Sequence, residues 1–180
     1  MACIRWETKT SFESSILVAK SRVAPFRIVD IVRVELFGAV LNTRFYMFII
    51  HELRKIKFGR VYHVIDSEIV RAMINKDSYG FRSFVANRIG KIQEYTEKEN
   101  WYWVEGNLNI ADRTNRPLDM VDKVGLSSEW QKGSEFLQML TEEWPIKSEA
   151  RVSSLPEVKR SFVGTDSRVS SKFPWLDNEL

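Results

Sequence analysis

Three carboxylates in this chain stand where an acid calls for a reason. Glu35 interrupts an apolar run, VRVELFGAV, between Val34 and Leu36. Asp66 ends the short hydrophobic stretch VYHVI and is followed by Ser67 and a helical pattern. Asp112 lies in NIADRTNR, at the start of another short helical signal. Each has an ordinary explanation. Glu35 fits a polar strip on a helix, since an unpaired buried carboxylate is costly. Asp66 or Ser67 fits a helix cap, and Asp112 a first-turn charge facing the helix dipole. If the three converge, they form a set of hard oxygen ligands suited to Mg²⁺ or Mn²⁺. Two such ions ~4 Å apart activate a water and stabilise the leaving oxygen in phosphodiester cleavage.

Convergence depends on the elements that carry the acids. ACIRWE and SSILVAKSR read as two strands of a hairpin joined by the polar stretch TKTSFE. A long helix follows from about Asp30, its N-cap, to about Lys55. Val34, Phe37, Val40, Leu41 and Phe48 recur at helical spacing, with further apolar residues on the other faces. That pattern predicts a helix buried between layers. VYHVI reads as a strand, and a short helix follows Asp66. FRSFVANRIGKIQEYT reads as an amphipathic helix, and NWYWVEG as a last strand. Strands linked through helices tend to be parallel, whereas the opening hairpin is antiparallel. The fold class is therefore α/β, a mixed sheet flanked by helices, and its chemistry belongs beyond the carboxyl ends of the parallel strands.

The composition agrees. A hydrophobic fraction of 44% and an aromatic fraction of 12% suffice for a core. The net charge of +3 permits an anionic partner without demanding one. Cys3 is the single cysteine, which leaves no internal disulfide and no zinc ligand set. Early charges argue against a secretory leader, and no apolar run reaches the ~18 residues that span a bilayer. A cytoplasmic or nuclear protein without membrane contact is the expectation. Residues 1–147 read as the domain, and the Ser-rich residues 148–180 as a flexible tail or linker.

Seven pieces occur in one order: AKSRVAP, VRVELFGAVLNTR, VIDSEIV, FVANRIGKIQEYT, WYWV, NIADRTNR and EWP. Together they resemble the ribonuclease H-like segment of BEL/Pao-type retrotransposon polyproteins, over about residues 2 to 145. The resemblance implies a five-stranded mixed sheet and two-metal hydrolysis of the RNA strand of RNA–DNA hybrids, with two Mg²⁺ or Mn²⁺ ions. It matches Glu35, Asp66 and Asp112 to three of the family's four catalytic and metal-binding acids, although Ile110 replaces a proline beside the third. The fourth acid belongs to a first, central strand that precedes the region resembled by ACIRWE. The expectation is a sheet lacking that strand, with unpaired edges and impaired hydrolysis. Trp103 stands where relatives often have histidine, and Asn115 where they have Ser or Thr.

Nucleic-acid contacts are expected from Arg22, Ser67, Asn87, Arg88 and Arg116, with Lys20, Arg44, Arg82 and Lys91 as further basic candidates. A solvated helix face explains Asn87, Arg88 and Lys91 equally well. Trp101 and Trp103 share a strand face and read as core, and His51 and His63 as structural. Residues 159–171 contain Phe162-Val163 and Asp166-Ser167, which superficially imitate the missing strand but read more simply as linker. The implied partners are an RNA–DNA hybrid and, in a parent polyprotein, reverse transcriptase and integrase segments. The competing readings are a non-catalytic remnant that binds nucleic acid or protein, and an unrelated α/β interaction module whose acids are caps.

Overall fold

The structure, a computed structural model, describes residues 1–20, 30–115, 125, 128–150 and 152–159. β1 (Ala2–Glu7) and β2 (Phe12–Val18) form the antiparallel hairpin. Thr8 closes its turn, donating through Oγ1 to the Ser11 carbonyl at 2.8 Å. β2 starts at Phe12, earlier than the apolar run suggests, because Glu7 pairs with Phe12 and the Arg5 guanidinium covers the Phe12 ring at 3.6 Å.

α1 (Ile31–Glu52) begins where its cap chemistry predicts, with the Asp30 carboxylate accepting from the Val32 amide at 3.2 Å. Its buried residues are Leu36, Ala39, Val40 and Thr43, with Thr43 returning its hydroxyl to the Ala39 carbonyl. The expected burial on all sides does not occur. Phe37, Met47, Phe48 and Ile50 are exposed, Phe48 by 56%. Helix α3 covers one side of α1, while the hairpin meets it only lightly.

β3 (His63–Ile65) and β4 (Trp101–Trp103) pair in parallel, in register His63 to Trp101. α2 (Glu68–Ile74) and α3 (Ser83–Tyr95) lie between them in sequence. The strand expected over residues 61–65 is shortened to the three residues that find partners in β4. A four-residue helix, α4 (Glu129–Lys132), precedes Gly133. That glycine has φ of 83°, and a Cβ there would sit 2.7 Å from Leu137 Cδ1 and 3.1 Å from Cys3 Sγ, so both backbone and space require it.

Among the described residues the strands make two two-stranded sheets, β1–β2 and β3–β4. Two apolar clusters flank β3–β4. The larger joins Leu36, Val40, Val70, Met73, Val85, Ile89, Ile92 and Trp101, and the smaller joins Val104, Phe136 and Trp144 with Tyr62 and Val64. Alternation along β3 explains this, since neighbouring side chains point to opposite faces. One side chain ties the hairpin to the second cluster. Arg5 donates through Nε to the Leu137 carbonyl at 2.6 Å and through Nη2 to the Met139 carbonyl at 2.7 Å.

Part of the stretch read as a tail is tied down. Val158 bridges Phe81, the Arg82 amide donates to the Glu157 carbonyl at 2.8 Å, and the Lys159 amide donates to the Gly80 carbonyl at 2.9 Å. Leu155 packs on the larger cluster, and the Glu157 carboxylate pairs with Arg33 of α1. Glu157 adopts φ of 61°, a left-handed conformation that is costly for a residue with a Cβ. Residues 160–180, including the imitation strand, lie outside the described residues.

Candidate active site at the end of β3

The end of β3 brings Glu35 of α1 against Ser67, the residue after Asp66. Ser67 follows Asp66 and is buried, while Asp66 itself is exposed. The Ser67 hydroxyl does two things. It accepts from the Val70 amide at 3.3 Å, which makes Ser67 the N-cap of α2. It also donates to Glu35 Oε2 at 2.5 Å, across 32 residues of sequence. This is the partner that the carboxylate in the apolar helix requires. Glu35 from α1 thus stands beside the Asp66–Ser67 corner.

A tryptophan secures the same corner. Trp103 donates its indole N–H to the Asp66 carbonyl at 3.0 Å, and the Lys147 ammonium lies 4.7 Å from the centre of its ring. Lys147 itself exchanges backbone hydrogen bonds with Trp103 at 2.8 Å. Neither tie was predicted. The alternation of Trp101 and Trp103 was the only available signal, and it marks a face rather than a partner. Trp101 is fully buried, as the core reading expects.

Asp112 is exposed on a 3-10 turn, Ile110–Asn115, where a short helix was expected. Ile110 is buried. Among the described residues no three His, Cys, Asp or Glu side chains group closely enough to hold a metal ion. One oxygen of Glu35 is engaged by the Ser67 hydroxyl.

The predicted nucleic-acid contacts separate. Arg88 is half-buried, stacking its guanidinium 3.5 Å from the Phe84 ring centre and 4.4 Å from that of Phe37 while donating to the Phe84 carbonyl. Burial, and then the neighbouring Arg33 charge, lower its pKa. Asn87, one residue earlier, is exposed. Arg22 and Arg116 lie outside the described residues. His63 is buried, bonded to Asn42 at 2.8 Å and stacked on Trp101, and burial drives its pKa down to about 4. Burial likewise pushes the Cys3 thiol up to about 11, which leaves it a poor nucleophile.

The segment that builds this corner decides the comparison with known proteins. Residues 1–67 match the family model of the Pao retrotransposon-like RNaseH-like domain. The match ends at Ser67 and takes in the hairpin, α1 with Glu35, β3 and Asp66. It bears out the Pao-type RNase H-like resemblance over that stretch, and the mixed α/β architecture agrees with an RNase H-like fold. No curated protein and no solved structure matches the chain. No helix among the described residues is long and apolar enough to cross a membrane.

Proposed function

We propose that this chain is a retroelement-derived ribonuclease H-like domain whose hydrolysis of the RNA strand of RNA–DNA hybrids is impaired. One observation carries the reading. The Ser67–Glu35 hydrogen bond draws the acid of α1 to the carboxyl end of β3, beside Asp66, within the segment that matches the family. That rim is where an α/β sheet does its chemistry. Asp112 is the third acid of the proposed set, with Mg²⁺ or Mn²⁺ as the ions. Bound ions would supply an activated water and charge stabilisation at the phosphate. The chain's own part is to hold Glu35 by the Ser67 hydroxyl and the Asp66 backbone by the Trp103 indole.

Impairment is supported by the family's four-acid set, of which the resemblance matches only Glu35, Asp66 and Asp112, and by the spacing of the acids, since among the described residues no three group closely enough to hold a metal ion. The same observation favours a second reading, a non-catalytic remnant that binds nucleic acid or protein. In a parent polyprotein the proposed neighbours are reverse transcriptase and integrase segments, and the compartment is cytoplasmic or nuclear. Incubation of the chain with a labelled RNA–DNA hybrid and Mg²⁺ tests the proposal. Slow cleavage that disappears in Asp66→Asn supports it. Cleavage unaffected by Asp66→Asn overturns it, and hybrid binding without any cleavage selects the remnant.

A further inference from the structure

Away from the acids, α3 carries an exposed face that the proposed reaction does not use. Tyr79, Asn87, Gly90 and Lys91 line an open groove of 660 Å³. Lys159 closes one side of it. Its position is fixed by the bond from its amide to the Gly80 carbonyl and by the bridge of Val158 to Phe81. A second groove, of 250 Å³, runs between α1 and α3 past Arg44, Lys91 and Tyr95. Lys91 lines both grooves.

Three exposed cations therefore line the two grooves, Lys159 the first, Arg44 the second and Lys91 both. Two exposed aromatic rings accompany them, Tyr79 at 75% and Tyr95 at 39% exposure. Ser78, Ser83 and Asn87 add neutral hydrogen-bonding groups to the first groove, and Gly90 adds no bulk. Glu94 is the one acid lining either groove, and its carboxylate beside Tyr95 raises the pKa of that phenol.

We propose that this face is a track for single-stranded nucleic acid, with the phosphodiester backbone following Lys159, Lys91 and Arg44 and bases stacking on Tyr79 and Tyr95. Spaced cations with interleaved aromatics bind single strands with little sequence preference, because every phosphate is charged and every base has a π-face. The proposal deepens the nucleic-acid reading above and relies on it only for the class of ligand. It places binding on Lys159, Lys91, Arg44, Tyr79 and Tyr95 rather than on Arg88, which is stacked on Phe84.

Fluorescence anisotropy of a dye-labelled single-stranded oligonucleotide, in EDTA to suppress cleavage, tests the track on the full chain. The triple variant K159Q/K91Q/R44Q should bind more weakly and flatten the slope of log K against log salt by about 2, at about 0.7 for each lost charge. Tyr79→Ala, a change at an exposed ring, should weaken binding about tenfold and serves if the triple variant misfolds by circular dichroism. Polyglutamate should compete poorly. Three results overturn the track: no binding by the wild-type chain, an unchanged salt slope in the folded triple variant, or competition by polyglutamate as strong as that of unlabelled oligonucleotide. Hybrid cleavage with Mg²⁺ is measured separately, so loss of the track and loss of the ribonuclease reading give different results.

Discussion

The parallel pair β3–β4 is much shorter than the hairpin β1–β2 but far better supported. β3 and β4 pair over only three residues, yet both faces are covered by apolar clusters. The hairpin pairs over six positions, yet Trp6 is 42% and Leu17 41% exposed. Ladder length is thus a poor guide to which pair is held more firmly. A hairpin alone is marginal in water, whereas a short pair anchored by the buried His63 and Trp101 and covered by apolar clusters is fixed by its surroundings.

The sharpest way to break this comparison is to hollow out the parallel side. Trp101→Ala should cost about 3–5 kcal/mol in urea unfolding, because it empties a fully buried site shared by β4 and three helices. A cost under about 1 kcal/mol would mean that the covered pair is no firmer than the hairpin.

Acid should attack the same region next. His63 titrates at about 4 when folded, below its ordinary value near 6.5, so in that window the unfolded chain binds more protons. The stabilising contribution is therefore complete above pH 6.5 and is lost as pH falls towards 4, by on the order of 3 kcal/mol. Unfolding followed across this range should show the loss in the wild type and a flatter profile in His63→Phe.

Ser67→Ala removes the cap of α2 and the partner of Glu35 together, and should cost about 1–2 kcal/mol. Ser67→Thr, which keeps the hydroxyl, should recover most of it. The smallest effect belongs to the hairpin. Trp6→Ala should change stability by less than about 1 kcal/mol, while native-state hydrogen exchange should show β1 amides opening before those of β4.

What could be read in advance follows the same division between near and far. Asp30 as a cap, the span of α1, the buried stripe of Val85, Ile89 and Ile92, and a carboxylate at the end of β3 all leave local patterns. Periodicity and capping act over a few residues, so the chain displays them. Partnerships over long separations leave no such trace. Ser67 meets Glu35 across 32 residues, Arg33 meets Glu157 across 124, and Arg5 reaches the Leu137 carbonyl across 132. The apolar residues on every side of α1 predicted full burial, but whether each side is covered depends on the arrangement of the strands. The docked stretch around Glu157 was hidden for the same reason, since Ser-rich composition describes a segment's average and not one residue's partner.

Glu157 leaves the fold with two opposed demands on a single position. Glycine would suit its left-handed backbone better, by about 1 kcal/mol, yet glycine would abandon Arg33. Glu157→Gly and Glu157→Gln thus disturb the position in different ways, one freeing the main chain and the other removing the charge while keeping a hydrogen-bonding side chain. A protease that cuts extended, loosened segments would tell them apart, because residue 157 is the latch by which the last described stretch of polypeptide grips the first long helix.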